Sequence, residues 1–194
     1  PKVNQFISDY IYDGKLKSDE STSERVIGVP ENNSGMVDIN SGIKFIPVER
    51  KGNTQGSDEE VEVVAQLVKE LVGREFYDGS ENRPLTIEDI LFVAPYNLQV
   101  RKLKAKLGHK AKVGSVDKFQ GQEAPVVILS MCTSDPNDSP RGLEFIFDKN
   151  RLNVAISRAQ TLALVVGSPE LAITNTNRVE QLERVNMFSA FANL

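Results

Sequence analysis

The chain has little with which to build a disulfide framework or a zinc site. Its 194 residues include one cysteine, Cys132, and one histidine, His109. A lone cysteine excludes an internal disulfide and is typical of a reducing compartment, so we expect a cytoplasmic, intracellular protein. One histidine and one cysteine cannot supply the ligands of a usual zinc site, and we expect no metal ion bound by this chain alone.

Signals for membranes and for bulk attraction to nucleic acid are also missing. The sequence contains no run of about 18 apolar residues, which a membrane span would need. It also lacks the charged and then apolar start of a signal peptide. The net charge of −4 means that any contact with nucleic acid must be local rather than a property of the whole surface. The first residue is Pro1 rather than methionine, and we therefore expect a fragment of a longer chain.

The motifs of a self-contained nucleotide hydrolase are absent from the sequence. The sequence contains no G-x-x-x-x-G-K-[ST] string, the motif that surrounds a triphosphate with backbone amides and a lysine. No acidic pair follows an apolar strand, as a magnesium-binding pair would, and no G-x-G-x-x-G or G-x-S-x-G motif is present. We therefore expect this chain by itself to be unable to hydrolyse a nucleoside triphosphate.

Apolar runs that alternate with helical patterns predict an α/β domain. Strands are predicted at 44–48, 90–94, 112–116, 124–131 and 162–167, and helices at 57–72, 96–107, 149–159 and 178–192. The run at 90–94 is apolar throughout, which is typical of a strand buried on both faces. Strands that alternate with helices indicate a three-layer fold with a mainly parallel sheet.

The first 42 residues are predicted to lead into this core, which spans 43–194. Helical spacing predicts a helix at 3–12, and 17–42 is an irregular connection with a short strand at 36–39. Residues 73–85 and 132–147 are predicted to be loops, and 86–89 a single turn. Ser57 and Glu60 are predicted to form a capping box, and Ser168 to cap a segment that starts at Pro169.

Three segments place polar residues just past the end of a strand or on a helix that borders it. They are FVAPYNLQVR (92–101), VGSVDKFQGQEAPVVILS (113–130) and NRLNVAISRA (150–159). Ligands of open α/β sheets bind at the carboxyl ends of the strands. These segments are therefore the candidates for a functional site.

The three segments resemble motifs IV, V and VI of superfamily 1 helicases, in order and with matching spacing. The start PKVNQFIS (1–8) is similar to the branch that contains the RNA-surveillance helicase and the replication helicase-nuclease. The resemblance covers nearly the whole chain and is specific mainly over 90–170, where VDKFQGQE is followed about 27 residues later by RLNVAISRA. It implies that residues 1–194 form the second, C-terminal RecA-like domain of a helicase or translocase.

The resemblance also implies where a nucleotide would bind. In family members ATP and Mg²⁺ lie between two RecA-like domains, and the first domain supplies the P-loop and the magnesium ligands. Arg158 matches the motif VI arginine that neutralises charge on the γ-phosphate, with an effect of about 10³–10⁵ in rate. Glu123 and Gly121 match motif V residues near the γ-phosphate and the sugar, and Arg151 of motif VI is placed at the cofactor. A surface ion pair for Arg158, a solvated acid for Glu123 and a plain turn at Gly121 are the alternatives.

Nucleic acid is the second partner that the resemblance implies. Ser115 matches a hydroxyl that contacts the backbone of single-stranded DNA or RNA, and a plain hydroxyl at a strand end is the alternative. Gln120 is expected to couple the strand to the nucleotide. Asp117 is expected to fix the motif V loop by accepting backbone hydrogen bonds. The other expected partner is the first RecA-like domain of the same full-length chain. An interaction module without motor activity is the alternative function, and an unrelated small-molecule-binding domain is a third.

Motif IV departs from the family pattern. Tyr96 and Gln99 fit as cofactor-binding residues, but Val100 stands where the RNA-surveillance members have arginine, and Arg101 comes one place later. One residue on a helix is a rotation of about 100°. The sequence leaves open whether Arg101 reaches the phosphates or faces solvent, and whether Tyr96 stacks on adenine or packs in the core.

Two further features admit two interpretations each. The basic run over 101–112 is either a solvated helix face or a nucleic-acid contact. Phe145 and Phe147 are either core residues or a platform on which bases stack.

Overall fold

The computed structural model describes residue 3 and residues 24–49, 55–132 and 149–172. The strands are β1 (Val26–Ile27), β2 (Gly42–Pro47), β3 (Glu75–Tyr77), β4 (Asn82–Pro84), β5 (Ile90–Val93), β6 (Lys112–Gly114), β7 (Ala124–Ser130) and β8 (Ala159–Gly167). The helices are α1 (Asp58–Leu71), α2 (Asn97–Leu107) and α3 (Lys149–Ser157).

Five strands form a parallel sheet in the spatial order β2-β8-β7-β5-β6. The register places Ile128 of β7 between Phe92 of β5 and Leu164 of β8. Every residue of β5 and of β7 is buried, because both strands lie inside the sheet and both faces are covered. The predicted α/β fold with a mainly parallel sheet is confirmed.

Successive residues of the strands enter two separate hydrophobic cores. Val126 and Ile128 pack on the face covered by α1 and α2, and Val127 and Leu129 pack on the face covered by α3. This alternation follows from the two-residue period of a strand. The domain therefore has three layers, and no helix in its described part combines the length and apolar character needed to cross a bilayer.

The predicted loop at 73–85 is wrong, because β3 and β4 form a hairpin there. Together with β1 they make an antiparallel sheet of three strands. Its turn is closed by Asp78, whose Oδ1 accepts hydrogen bonds from the backbone of Ser80 at 2.8 Å and of Glu81 at 3.0 Å. This Asx turn adds to the backbone pair at the tip of the hairpin, in which the Asp78 N–H donates to the Glu81 carbonyl at 3.1 Å.

The predicted strand at 36–39 is also wrong. The backbone N–H groups of Met36 and Val37 donate to the Glu70 carboxylate on α1, at 3.1 and 3.0 Å, instead of joining a ladder. Several boundaries differ as well; for example, Ala159 begins β8 rather than ending α3, and β6 ends at Gly114. Apart from Val3, which is buried, the predicted helices at 3–12 and 178–192 lie outside the described residues.

The predicted capping box at Ser57 is half correct. The Ser57 hydroxyl accepts the backbone N–H of Glu60 at 3.0 Å, and the helix begins at Asp58 as expected. In a full capping box the Glu60 side chain would accept the backbone N–H of Ser57. Here Gln99 Oε1 accepts that N–H instead, at 2.8 Å. At the other predicted cap, Ser168 accepts the N–H of Glu170 at 3.2 Å, as the sequence indicates.

We predict that Asp89 makes the stability of the domain sensitive to acid. Burial raises the pKa of Asp89, but hydrogen bonds from Arg83 and Thr86 outweigh it and lower the pKa from 3.8 to about 2. A carboxyl whose pKa is lower in the folded state stabilises the fold above its unfolded pKa and loses that effect as the pH falls. The free energy of unfolding should therefore drop between pH 3.8 and about 2.

The measurement is the urea midpoint at neutral pH and at about pH 3. Asp89→Asn should lower the urea midpoint at neutral pH and narrow the gap between the midpoints at the two pH values. Glu88→Gln removes the neighbouring exposed carboxyl, which lies outside this hydrogen-bond network, and should keep the wild-type gap. A wild-type gap in Asp89→Asn would contradict the prediction.

Candidate functional site

A cleft of about 500 Å³ opens at the carboxyl ends of β5, β6 and β7. The three ends lie side by side because Val93 pairs with Gly114 on one side and with Leu129 on the other. Residues 95–98 after β5, residues 115–117 after β6, the end of β7 and the start of α3 line it. The cleft is thus at the sheet edge where the sequence predicted the site.

Motif IV contributes one wall of the cleft. Tyr96 is the N-cap residue of α2; it is 5% exposed and packs in the core cluster beneath α3 while still lining the cleft. Leu98 and Arg101 are exposed on the cleft side of the first turn, since residues three apart share a helix face. Arg101 is therefore exposed and also lines the cleft, and both interpretations of the sequence fit this position.

Gln99 is not brought to the cleft. Its side chain is completely buried, its Nε2 donates to Ser130 Oγ at 2.9 Å and to the Ser57 carbonyl at 3.2 Å, and its Oε1 accepts from Ser57 N. The expected cofactor contact does not fit this geometry. One residue of helix rotation from Leu98 directs Gln99 into the interior instead.

The motif V loop begins after β6 with a 3-10 turn at Val116–Phe119. Phe119 anchors the turn in the core, and Ser115 is its half-buried N-cap residue, on the cleft. Gly121 has φ +79, with no protein atom within 4 Å of where a Cβ would be. Glycine is therefore needed for its left-handed backbone, as the turn interpretation requires, and not for space.

Asp117 does not have its expected role. Within the described residues its carboxylate accepts no backbone hydrogen bond, and the loop is closed by backbone pairs such as Lys118 N to the Ser115 carbonyl at 3.1 Å. The Asp117 side chain is exposed and lines the cleft. It is the one carboxylate that the described residues place there.

Motif VI closes a second hollow of about 220 Å³ beside the cleft. Arg151, Val116 and Asp117 border both spaces, and Arg158 and Gln120 line only the smaller one. The position of Arg158 is held by its own backbone. Its carbonyl accepts Ala124 N at 3.0 Å, and its Nε donates to the Val154 carbonyl at 3.3 Å.

Glu123 lies at the side of this arrangement. It is exposed, its Oε2 accepts a 3.5 Å hydrogen bond from Gln160, and neither Glu123 nor Gly121 is among the residues that line the two spaces. The structure thus brings together six of the nine predicted site residues and leaves out Gln99, Glu123 and Gly121. The six are Tyr96, Arg101, Ser115, Gln120, Arg151 and Arg158.

Sequence reasoning missed Leu98 and Met131 as cleft residues. Leu98 is 38% exposed and three places before Arg101, so its helix position was a usable signal. Met131 follows directly after the end of β7 and offered none. The basic run is in part a solvated helix face, since Lys102 pairs with Asp58 at 2.5 Å and Lys106 with Glu62 at 2.7 Å. Phe145 and Phe147 lie outside the described residues.

A parallel five-stranded sheet with helices on both faces and a cleft at its carboxyl edge is consistent with a RecA-like α/β fold. The chain belongs to the AAA domain family, whose model matches residues 1–170. With the relatives below, it is a RecA-like domain of a superfamily 1 helicase.

Curated relatives are helicases of two nucleic-acid types. The chain is 33% identical over 180 residues to the DNA polymerase alpha-associated DNA helicase A of Schizosaccharomyces pombe, which covers 85% of the chain and 26% of the relative. It is 26% identical over 198 residues to an uncharacterized ATP-dependent helicase of Caenorhabditis elegans, covering 100% of the chain and 12% of the relative. It is 35% identical over 101 residues to the RNA helicase Mov10l1 of Mus musculus, covering 48% and 8%. The chain thus spans 26% or less of the length of these relatives.

Proposed function

We propose that this domain is the second motor domain of an ATP-dependent helicase or translocase and that its cleft contacts the nucleotide. The observation that supports this is the convergence of Arg101 from α2, Arg151 from α3 and Arg158 from the turn after α3 on adjoining spaces at one sheet edge. Guanidinium groups bind phosphate oxygens through paired donors and keep their charge at all relevant pH values. Such a rim suits a polyphosphate.

The rest of the cleft suits the remainder of a nucleotide. Its lining includes the apolar side chains of Leu129, Met131 and Leu152, together with the ring of Tyr96. Cofactor pockets combine such apolar surfaces with a few placed polar groups. The described residues offer Mg²⁺ only Asp117 in the cleft, so the magnesium ligands belong in our proposal to the first RecA-like domain.

Arg158 is the residue that we assign as the arginine finger. Arg158 is half-buried beside the motif V loop: its backbone carbonyl accepts the Ala124 N–H, and its guanidinium Nε donates to the Val154 carbonyl. Positive charge held in this way stabilises the charge that develops on the transferred phosphoryl group without reorganisation during the reaction. The direct test is ATP turnover by the full-length protein with Arg158 replaced.

We further propose that Ser115 contributes to a single-strand track, and we predict a specific loss in Ser115→Ala. The half-buried hydroxyl lies where β6 ends, beside the exposed motif V loop. A contact of this type positions a nucleic-acid backbone and reads no sequence. The ratio of strand-stimulated to basal ATP hydrolysis in the full-length protein should fall by a factor of about 2–5, because strand-stimulated hydrolysis should weaken more than basal hydrolysis.

The ratio is measured at fixed salt because backbone contacts are salt-dependent. Ser80→Ala, in the hairpin turn between β3 and β4, is the matched serine control. A wild-type ratio in Ser115→Ala would place the strand elsewhere. With a net charge of −4, this domain by itself should bind single strands weakly and with little sequence preference.

A further inference from the structure

Glu60 is a fully buried carboxylate that neither the helicase motifs nor the cleft lining explains. It lies in the first turn of α1, is 0% exposed and faces the sheet. Glutamate is rarely buried to this degree unless its charge is paired or hydrogen-bonded. Its partners therefore indicate what the fold uses it for.

The partners of Glu60 form a chain of hydrogen bonds that links three elements. The carboxylate accepts the Cys132 N–H at 3.1 and 3.0 Å and the hydroxyl of Ser130. Ser130 Oγ in turn accepts the Gln99 side chain at 2.9 Å, and Gln99 accepts the backbone N–H of Ser57 at 2.8 Å. The network thus joins the start of α1, the end of β7 and the first turn of α2.

The end of β7 needs such support. Cys132 has φ +51, and no other non-glycine residue in the described part of the chain has a positive φ. A side chain in this left-handed region is unfavourable for most residues, so something must hold the backbone there. The Glu60 carboxylate does so by accepting the N–H of Cys132.

Both walls of the cleft depend on the same network. Leu129 and Met131, just before Cys132, line one wall. Gln99 lies next to Leu98 at the start of α2, whose Leu98 and Arg101 form the second wall. A carboxylate that fixes both the end of β7 and Gln99 therefore sets the distance between the two walls.

We propose that Glu60 is a positioning residue for the cleft, acting through Ser130, Cys132 and Gln99 without touching the ligand. The inference rests on the proposed function only where it predicts nucleotide affinity. Its structural part, that Glu60 holds the two walls, can be tested in the absence of any nucleotide.

The first experiment measures backbone amide exchange in the full-length protein with Glu60→Gln. The amide keeps the shape of the side chain but loses the charge, and it offers one acceptor oxygen instead of two. Exchange should rise about tenfold at residues 130–132 and 97–101 and stay at the wild-type rate at 75–84, in the β3–β4 hairpin. The control is Glu62→Gln, which is on the same helix but pairs with Lys106 at the surface.

A uniform rise in all three segments, or no rise at the two walls, would overturn the positioning role. If Glu60→Gln does not fold, Ser130→Ala is the substitute, because it removes the hydroxyl between Glu60 and Gln99. The same two segments should then exchange faster, by a smaller factor. Wild-type exchange there in Ser130→Ala would also overturn the proposal.

The second experiment measures ATP hydrolysis with the same variants. Misplaced cleft walls weaken binding of ground state and transition state alike, so KM for ATP should rise about tenfold in Glu60→Gln while kcat changes less than about threefold. Glu62→Gln should keep both constants. Loosened walls with an unchanged KM would support the positioning role and instead contradict the assignment of the cleft to the nucleotide.

Discussion

Replacing Arg158 by alanine in the full-length protein is expected to lower ATP turnover by about 10³–10⁵-fold, with KM for ATP changed by no more than a few-fold. The asymmetry arises because a finger arginine interacts most strongly with charge that exists only in the transition state. The side chain is half-buried in the hollow that adjoins the cleft, with Arg151 and Gln120 beside it.

Two variants make this result specific. Arg158→Lys keeps the charge but not the planar fork of donors, and its turnover should lie between those of the wild type and Arg158→Ala. Arg25→Ala removes a half-buried arginine whose Nε donates to the Asp78 carbonyl in the small sheet, and turnover should not change. If Arg158→Ala keeps turnover within a few-fold of wild type, the assignment of Arg158 as the arginine finger is wrong. The role of Arg158 is then structural, through the bond from its Nε to the Val154 carbonyl.

The sheet could be predicted from sequence because its strands are buried on both faces. Such strands contain continuous apolar runs, as in β5, β7 and β8. The order of the three motifs then placed the cleft, since parallel strands end at a common edge. Fold and site location thus followed from local patterns.

The small antiparallel sheet could not be predicted in this way. β3 and β4 have three residues each, too few to establish a period, and the sheet is held by contacts distant in sequence. Arg74 Nη1 donates to the Val37 carbonyl at 2.9 Å, and the Glu70 carboxylate accepts the backbone N–H groups of Met36 and Val37. Nothing local in 24–41 indicates those partners.

The directions of individual side chains in the site could not be predicted for the same reason. Gln99 matches a motif, but its direction depends on Ser57 and Ser130, which are 42 and 31 residues away. Glu60 completes a local capping pattern and instead bonds Cys132, 72 residues away. Where a side chain has both a local hydrogen-bond partner and a buried partner distant in sequence, the sequence pattern alone does not show which bond forms.

The second large effect concerns the 194-residue chain produced by itself, which is expected to show no ATP turnover above background, with or without single-stranded DNA or RNA. Its sequence contains no P-loop to hold the triphosphate. The described cleft offers arginines but, apart from Asp117, no carboxylate that could bind Mg²⁺. Without a bound metal and an aligned phosphate, charge neutralisation by Arg158 has no substrate on which to act.

The measurement is phosphate release at saturating ATP, with the chain carrying Arg158→Ala prepared in parallel. Because both samples carry the same trace contaminants, turnover that is equal in the two is background. Turnover that the strand stimulates in the wild-type chain and that Arg158→Ala abolishes would mean that this domain holds a complete catalytic site. In that case the phosphate and Mg²⁺ would have to be bound by residues of this chain, and the division of labour between two RecA-like domains proposed here would be wrong.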